Sequence, residues 1–280
     1  MPIALALAAA LVYGASDFLG GLASRRTSTL SVVVWSQGLG LLLLCAVVPF
    51  FGGRATASDV EWGALCGVAG AAAIALLYRG LAIGSMGIVS PVSAVLGAAI
   101  PLIYGIAVRE DRPAPLAYAG IAAALAAVVF VSAAPHARHP RRLPPGLLEA
   151  IGAGAAFGVY FIALAQTRTD AGMVPLLAAR VTSVLLLVAA GVALGGVAGV
   201  RIAKPALVPV LLCGVLDMTA NVLYVVAAHT GLLAIVAVLT SLYPAATVAL
   251  AAIVLRERLG RLQWIGVALA LGGAAAIAAA

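Results

Sequence analysis

The chain has 280 residues, of which 65% are hydrophobic and 9% charged, and its mean hydropathy is +1.20. A soluble domain carries about 25% charged residues, so the charge that normally keeps a folded surface in water is largely missing and the chain reads as a membrane protein. One helix of about 20 residues crosses the hydrocarbon core. Ten such spans would leave only short loops, which excludes a large ectodomain, a built-in nucleotide-binding domain and any enzyme acting from a water-soluble module.

Apolar runs separated by charged, Pro-rich or Gly-rich breaks fall at 3–22, 30–51, 62–82, 86–108, 115–134, 147–167, 174–196, 206–228, 231–254 and 261–279. Their length, without period-two alternation, indicates helices and not barrel strands. The N-terminus lacks a basic n-region and its apolar run is too long for a signal peptide, so it reads as the first permanent span. The breaks at Ile83-Gly84-Ser85 and His229-Thr230-Gly231 are so short that tight helical hairpins are expected there, with His229 a loop residue. Pro91 and Pro101 in the fourth span and Pro244 in the ninth lack a backbone donor and are candidate kinks or hinges. Gly-x-x-x-Gly pairs at Gly63/Gly67, Gly80/Gly84, Gly154/Gly158 and Gly191/Gly195 permit close helix approach without naming a partner.

The longest polar stretch, from His136 to Gly146, lies near the midpoint. Tyr13-Gly14 matches Phe157-Gly158, and Arg109-Glu110 with Arg112 matches Arg256-Glu257-Arg258, at nearly the same offset. These features divide the chain into a first five-helix repeat at 1–134, a basic Pro-rich linker at 135–146 and a second repeat at 147–280. Five is odd, so the second repeat would enter the membrane inverted relative to the first, an arrangement that many secondary transporters use for alternating access. The expected fold class is an all-α membrane protein of ten transmembrane helices in two inverted five-helix repeats.

Leu239-Thr-Ser-Leu-Tyr-Pro244, followed by Leu255-Arg-Glu-Arg-Leu259 and Gln263-Trp-Ile-Gly266, resembles the end of an EamA-type repeat of the drug/metabolite transporter superfamily. Pro244 and Glu257 keep the family spacing. In the first half Gly97 stands where that Pro would fall, with Pro101 one turn later, so the first repeat matches in degenerate form. Ser16-Asp-Phe-Leu-Gly-Gly21 is also similar to a first-helix sequence of bacterial members. The resemblance implies a ten-helix exporter fold and no particular substrate.

The net charge of +7 bears on topology rather than on nucleic acid. Odd-numbered loops hold Arg25, Arg26, Arg79, Arg138, Arg141, Arg142, Arg201, Lys204, Arg256, Arg258 and Arg261, whereas even-numbered loops hold Arg54, Arg109, Arg112 and Arg168. The positive-inside rule then puts both termini outside, whereas the resemblance implies both termini inside.

An ionised side chain near the bilayer centre costs ~2.5–3.5 kcal/mol on insertion scales, so it normally faces protein or a wet cavity. Asp17, Arg180 and Asp217 occupy such positions; Arg79 and Glu149 lie close enough to helix ends to snorkel. Asp217, Asn221 and Tyr224 share one helical stripe, as do Tyr13 with Asp17 and Arg180 with Ser183. Ser36, Gln37 and Tyr160 complete a candidate substrate cavity, of a polarity suited to a small zwitterion or an amphipathic cation. Two acids against one guanidinium leave one carboxylate without a counter-ion, and burial disfavours its charged form. That acid is expected to carry proton coupling, with Asp217 ranked ahead of Asp17 because it lies deeper. The alternatives are structural: Asp17 capping a helix break near Gly20-Gly21, Arg180 snorkelling to a loop, and Asp217 bonding helix to helix. Trp35, Trp62 and Trp264 read as interface anchors or packing residues.

Cys45, Cys66 and Cys213 lie in apolar stretches without metal-ligand or disulfide spacing, so no metal, cofactor or cofactor-binding residue is expected. No histidine inside a span can serve Gly14-Ala-Ser16 as a base, and there are no repeated acidic motifs, so no catalytic residue is assigned and the chain is not read as an enzyme. The expected function is a proton-coupled secondary exporter of small metabolites, amino acids or amphipathic drugs in a bacterial-type inner membrane. Its partners are the lipid bilayer, a small-molecule substrate and protons or another cation, with no obligatory protein partner. A flippase for lipid-linked substrates on the same fold is the main alternative, ahead of a channel or an intramembrane enzyme.

Overall fold

A computed structural model describes residues 2–108, 114–132, 144–195, 200–230, 236, 239–240, 242–256 and 260–279. Ten α-helices can be bounded among these residues, Val236, Leu239 and Thr240 being helical as well, and none of the described residues forms a strand. They are α1 (Pro2–Ser24), α2 (Thr29–Val47), α3 (Ala57–Ile83), α4 (Met86–Val108) and α5 (Pro115–Ser132), then α6 (Leu147–Leu164), α7 (Val174–Gly195), α8 (Leu207–Thr230), α9 (Tyr243–Val254) and α10 (Arg261–Ala278). Seven of the described helical stretches are long and apolar enough to cross a membrane, and Tyr243–Val254 is a shorter apolar helix.

The outside of the bundle is as apolar as its interior. Leu11, Leu42, Ile103, Leu148, Leu185 and Ile253 are all exposed. In water so much exposed apolar surface would drive association, but against lipid tails it costs nothing. Backbone polar groups are satisfied within each helix, the requirement that makes helices the spanning element. Pro91 and Pro101 lie inside α4, as the sequence suggests.

Two elements differ from expectation. Pro244 falls in the first turn of α9; most of 231–241, where a longer ninth span would begin, lies outside the described residues. In a first turn the missing N–H has no helical acceptor to lose, so proline starts this helix without having to kink it. His229 and Thr230 belong to the last turn of α8, not to a loop. The linker and the Arg109-Glu110 and Glu257-Arg258 motifs lie largely outside the described residues. The α3/α4 connection is the tight hairpin its sequence implies, with only Gly84 and Ser85 between the helices.

Helices of the first half pack on those of the second in pairs that exchange with one another. If α1–α5 are swapped with α6–α10, α1 on α8 becomes α6 on α3, α4 on α6 becomes α9 on α1, and α2 on α8 becomes α7 on α3. All of these pairings occur, and α2 on α7, α4 on α9 and α5 on α10 map onto themselves. Atomic contacts repeat the relation. A Cβ on Gly67 of α3 would lie 2.4 Å from the Ala179 carbonyl oxygen of α7, and one on Gly214 of α8 would lie 2.6 Å from the Ser36 carbonyl oxygen of α2. Gly14 meets Ala246 on α9 as Gly158 meets Ile100 on α4. Small residues therefore set the inter-helix distances where hydrophobic driving force is weak.

We expect Gly67→Ala and Gly214→Ala each to destabilise the protein by about 1–3 kcal/mol, the usual range for overpacking. Gly38 and Gly272 have no neighbouring atom within 4 Å of an added Cβ, so Gly38→Ala and Gly272→Ala should be neutral. Thermal melting in detergent, followed by size-exclusion retention, distinguishes the two classes.

Candidate functional site

Helices α7 and α8 both pack against α2, and this brings together three polar side chains that are far apart in sequence. Arg180 on α7 donates from Nη2 to Oδ2 of Asp217 on α8 at 2.8 Å, and from Nη1 to Oε1 of Gln37 on α2. All three residues are buried. The ion pair belongs to the second half of the chain, whereas Gln37 belongs to the first, so the cluster bridges the halves. Gly40, one turn along α2 from Gln37, lies against the guanidinium: a Cβ there would be 3.7 Å from Arg180 Cζ.

Depth within its span favours Asp217 as the unpaired acid. The structure instead gives Asp217 the guanidinium, because α7 and α8 direct their charged residues to the same buried face of α2. Arg180 accordingly does not snorkel. Asp17, on α1, is equally buried and has no ion pair or hydrogen bond among the described residues. It lies within electrostatic range of Asp217, Tyr78, Cys213 and Tyr243. Beside it, Ser16 Oγ donates to the Cys213 carbonyl at 3.0 Å, which ties α1 to α8.

The remaining sequence candidates divide into two groups. The tyrosines stay near the charges: Tyr13 is within electrostatic range of Asp217, Arg180, Tyr160 and Tyr224, and Tyr160 of Arg180 and Asp217. Tyr13 also meets Tyr243 edge to face at a centroid distance of 6.4 Å. The small polar residues bond to their own helices. Ser36 Oγ donates to the Val33 carbonyl, Ser183 Oγ to the Arg180 carbonyl and Asn221 Nδ2 to the Asp217 carbonyl at 2.8 Å. Local back-bonding of this kind satisfies a hydroxyl or amide inside a span without a ligand.

Tyr78 and Asp59 are conspicuous residues that the sequence did not single out. Tyr78 is fully buried, contacts Cys213 Sγ through its hydroxyl at 3.1 Å, and places its ring where a side chain on Gly20 would stand. Asp59, in the first turn of α3, accepts from Thr56 N at 2.8 Å and Thr56 Oγ1 at 2.7 Å, while its other oxygen accepts from Arg168 N at 2.8 Å. Arg54 N donates to the Asp170 carbonyl at 2.8 Å. Gly172, at φ +63, adopts the left-handed conformation that glycine tolerates and fits beneath Gly52, whose oxygen would be 2.4 Å from an added Cβ. This clasp joins the α2/α3 loop of the first half to the α6/α7 loop of the second. The Thr-x-x-Asp capping pattern at 56–59 is legible in sequence, but its partner 109 residues away is not. At the α3/α6 ends, Arg79 Nε lies 3.5 Å from Glu149 Oε1, with Arg79 largely exposed, as expected of residues at helix ends.

A bundle whose described residues are helical, with an apolar exterior, two exchangeable halves and a charged cluster bridging them, defines a polytopic membrane protein. The chain belongs to the EamA-like transporter family, whose family model matches residues 1–133 and again 144–279. It is therefore a membrane transporter of the drug/metabolite superfamily, built as two repeats. No curated protein matches it. Twenty chains of solved structures do. One of them, described as a crystal structure of a protein, aligns over 96% of each chain at 18% identity and a TM-score of 0.61, which establishes the shared fold.

Removing one member of a buried ion pair costs about 3–5 kcal/mol, whereas replacing both by apolar residues is often neutral. Arg180→Met should therefore lower thermal stability sharply, and Arg180→Met with Asp217→Leu should recover most of the loss.

Proposed function

We propose that the chain is a secondary active transporter that exports small metabolites, amino acids or amphipathic compounds in exchange for protons. It would have ten spans in a bacterial-type inner membrane and alternate its access between inverted halves at 1–134 and 147–280. The exchangeable packing pairs and the clasp between the α2/α3 and α6/α7 loops support this reading, since rocking one half against the other needs contacts that close one face at a time.

One observation carries the coupling proposal: Arg180 is bonded to Asp217, which leaves Asp17 as the mid-helix carboxylate without a counter-ion among the described residues. In an apolar interior such a group binds a proton in one state and a cationic group in another. Asp17 is thus the coupling acid, and Asp217 holds the cluster together. Pro91 and Pro101 serve as flexible points in α4, and Pro244 sets the start of α9.

The test is proton flux in proteoliposomes containing an internal pH dye, challenged with amino acids and amphipathic cations. Substrate-dependent flux in the wild type should be abolished by Asp17→Asn, with insertion and melting temperature preserved. Flux unchanged in that variant would remove Asp17 as the coupling acid, and absence of flux with any soluble compound would favour a flippase.

A further inference from the structure

At one end of the bundle the start of α2 meets the connection between α7 and α8. Trp35 Nε1 on α2 donates to the Val200 carbonyl at 2.7 Å. Val200 in turn packs against Gly191 of α7, where an added Cβ would lie 2.6 Å from its Cγ1. The chain then continues through Arg201 and Ile202 to a 3-10 helix at Lys204–Ala206, which leads into α8. Trp35, Val200, Arg201, Ile202 and Leu207 line an open cavity of about 590 Å³ between these elements. That volume falls within the ~300–1,000 Å³ of ordinary small-molecule sites.

The chemistry of its walls is divided. Trp35 and Leu207 are 49% and 42% exposed on the apolar exterior of the bundle, and Ile202 continues that apolar wall. The indole N–H, the polar tip that a tryptophan at a membrane interface usually turns to water or headgroups, is already taken by Val200. The ring therefore offers an apolar face to whatever fills the cavity. Arg201 supplies the charge in the lining, and Lys204, also exposed, follows three residues later. Neither side chain has an ion pair or hydrogen bond among the described residues. The elements around the cavity supply no counter-ion: α2 contains no acidic residue, and none lies between Asp170 and Asp217, the latter held by Arg180. The cavity thus presents a cation beside apolar walls, on a surface that lipid covers.

A ligand that matches these walls carries an anionic group at one end and hydrocarbon at the other. Basic pockets between spans bind anionic lipid headgroups for this reason. Trp35 lies roughly 9 Å along α2 from Thr29, at a helix rise of about 1.5 Å per residue, while Arg201 lies in the connection between α7 and the 3-10 helix. A phosphate at Arg201 therefore leaves an acyl chain to run past the Trp35 ring toward the bilayer centre. We propose that the groove between α2 and the α7/α8 connection binds one anionic phospholipid, its phosphate on Arg201 and an acyl chain along Trp35, Ile202 and Leu207. Lys204 adds to the local positive field. The site is separate from the buried Arg180–Asp217 cluster and independent of what the interior carries.

The test is quenching of Trp35 fluorescence in phosphatidylcholine proteoliposomes, with Trp62→Phe and Trp264→Phe introduced so that Trp35 alone reports. The host lipid is exchanged stepwise for phosphatidylglycerol or phosphatidylcholine brominated on its acyl chains. Brominated phosphatidylglycerol should associate about fivefold more tightly than brominated phosphatidylcholine, the factor expected of one basic side chain near a lipid phosphate. Arg201→Gln should bring that ratio to about one. Arg26→Gln, which removes an exposed charge from the α1/α2 loop outside the cavity lining, should leave the ratio unchanged, and glycerol 3-phosphate in solution should not displace the lipid. Phosphatidylglycerol associating no more tightly than phosphatidylcholine, or a preference that survives Arg201→Gln, would overturn the assignment. An equal loss in Arg26→Gln would do so by showing diffuse surface charge, and displacement by glycerol 3-phosphate by showing a site for soluble phosphate esters. If the phenylalanine replacements broaden the size-exclusion profile, spin-labelled lipids give the same ratio on the chain with all its tryptophans.

Discussion

A charge inside an apolar bundle must be neutralised inside that bundle, and the interior of this protein is organised around one such neutralisation. Arg180, about two turns into α7, would be a stranded buried charge without Asp217, and the two meet because α7 and α8 both pack on α2. Gln37 extends the contact to the first half of the chain. The pair therefore acts as a registration point for three helices. It also decides the chemistry of the remaining acid, because a single guanidinium can neutralise only one of two carboxylates.

The surrounding fold supplies what this cluster needs in order to do work. Glycines at the crossings of α3 with α7 and of α2 with α8 let backbones approach closely in equivalent places, so each half meets the other through matching surfaces. Matching surfaces can be occupied in two alternative ways at little net cost, which is the physical basis of alternating access between related halves. The α5–α10 pair maps onto itself under the same exchange, whereas the charged cluster is asymmetric, with its ions on the second half and its amide on the first. The scaffold is thus symmetric where the charged cluster is not.

Much of this was legible in the sequence. Long apolar runs marked most helices to within a few residues, because a membrane span is set by length and composition more than by tertiary context. The duplication showed in Tyr13-Gly14 and Phe157-Gly158, and those glycines turn out to make equivalent contacts. Arg180, Asp17 and Asp217 were conspicuous because lipid forbids isolated charges. What could not be read was partnership. Helical periodicity places Asp217 on a stripe but cannot say that Arg180 reaches it, so depth alone favoured the wrong acid as the unpaired one. Ser36, Ser183 and Asn221 looked like cavity residues, yet their side chains bond to their own backbone. Asp59 was hidden because its cross-half partner is a backbone N–H, which every residue but proline carries.

The central proposal is that Arg180 holds Asp217 while Asp17 is the carboxyl group that takes up a proton. Infrared difference spectroscopy of the purified protein across a pH step tests it directly, because a protonated carboxyl shows a carbonyl band separate from that of a carboxylate. The account predicts a buried carboxylic acid band near neutral pH that is absent in Asp17→Asn and retained in Asp217→Asn. A band that disappears in Asp217→Asn and persists in Asp17→Asn would contradict it, and would return the coupling role to the acid on α8.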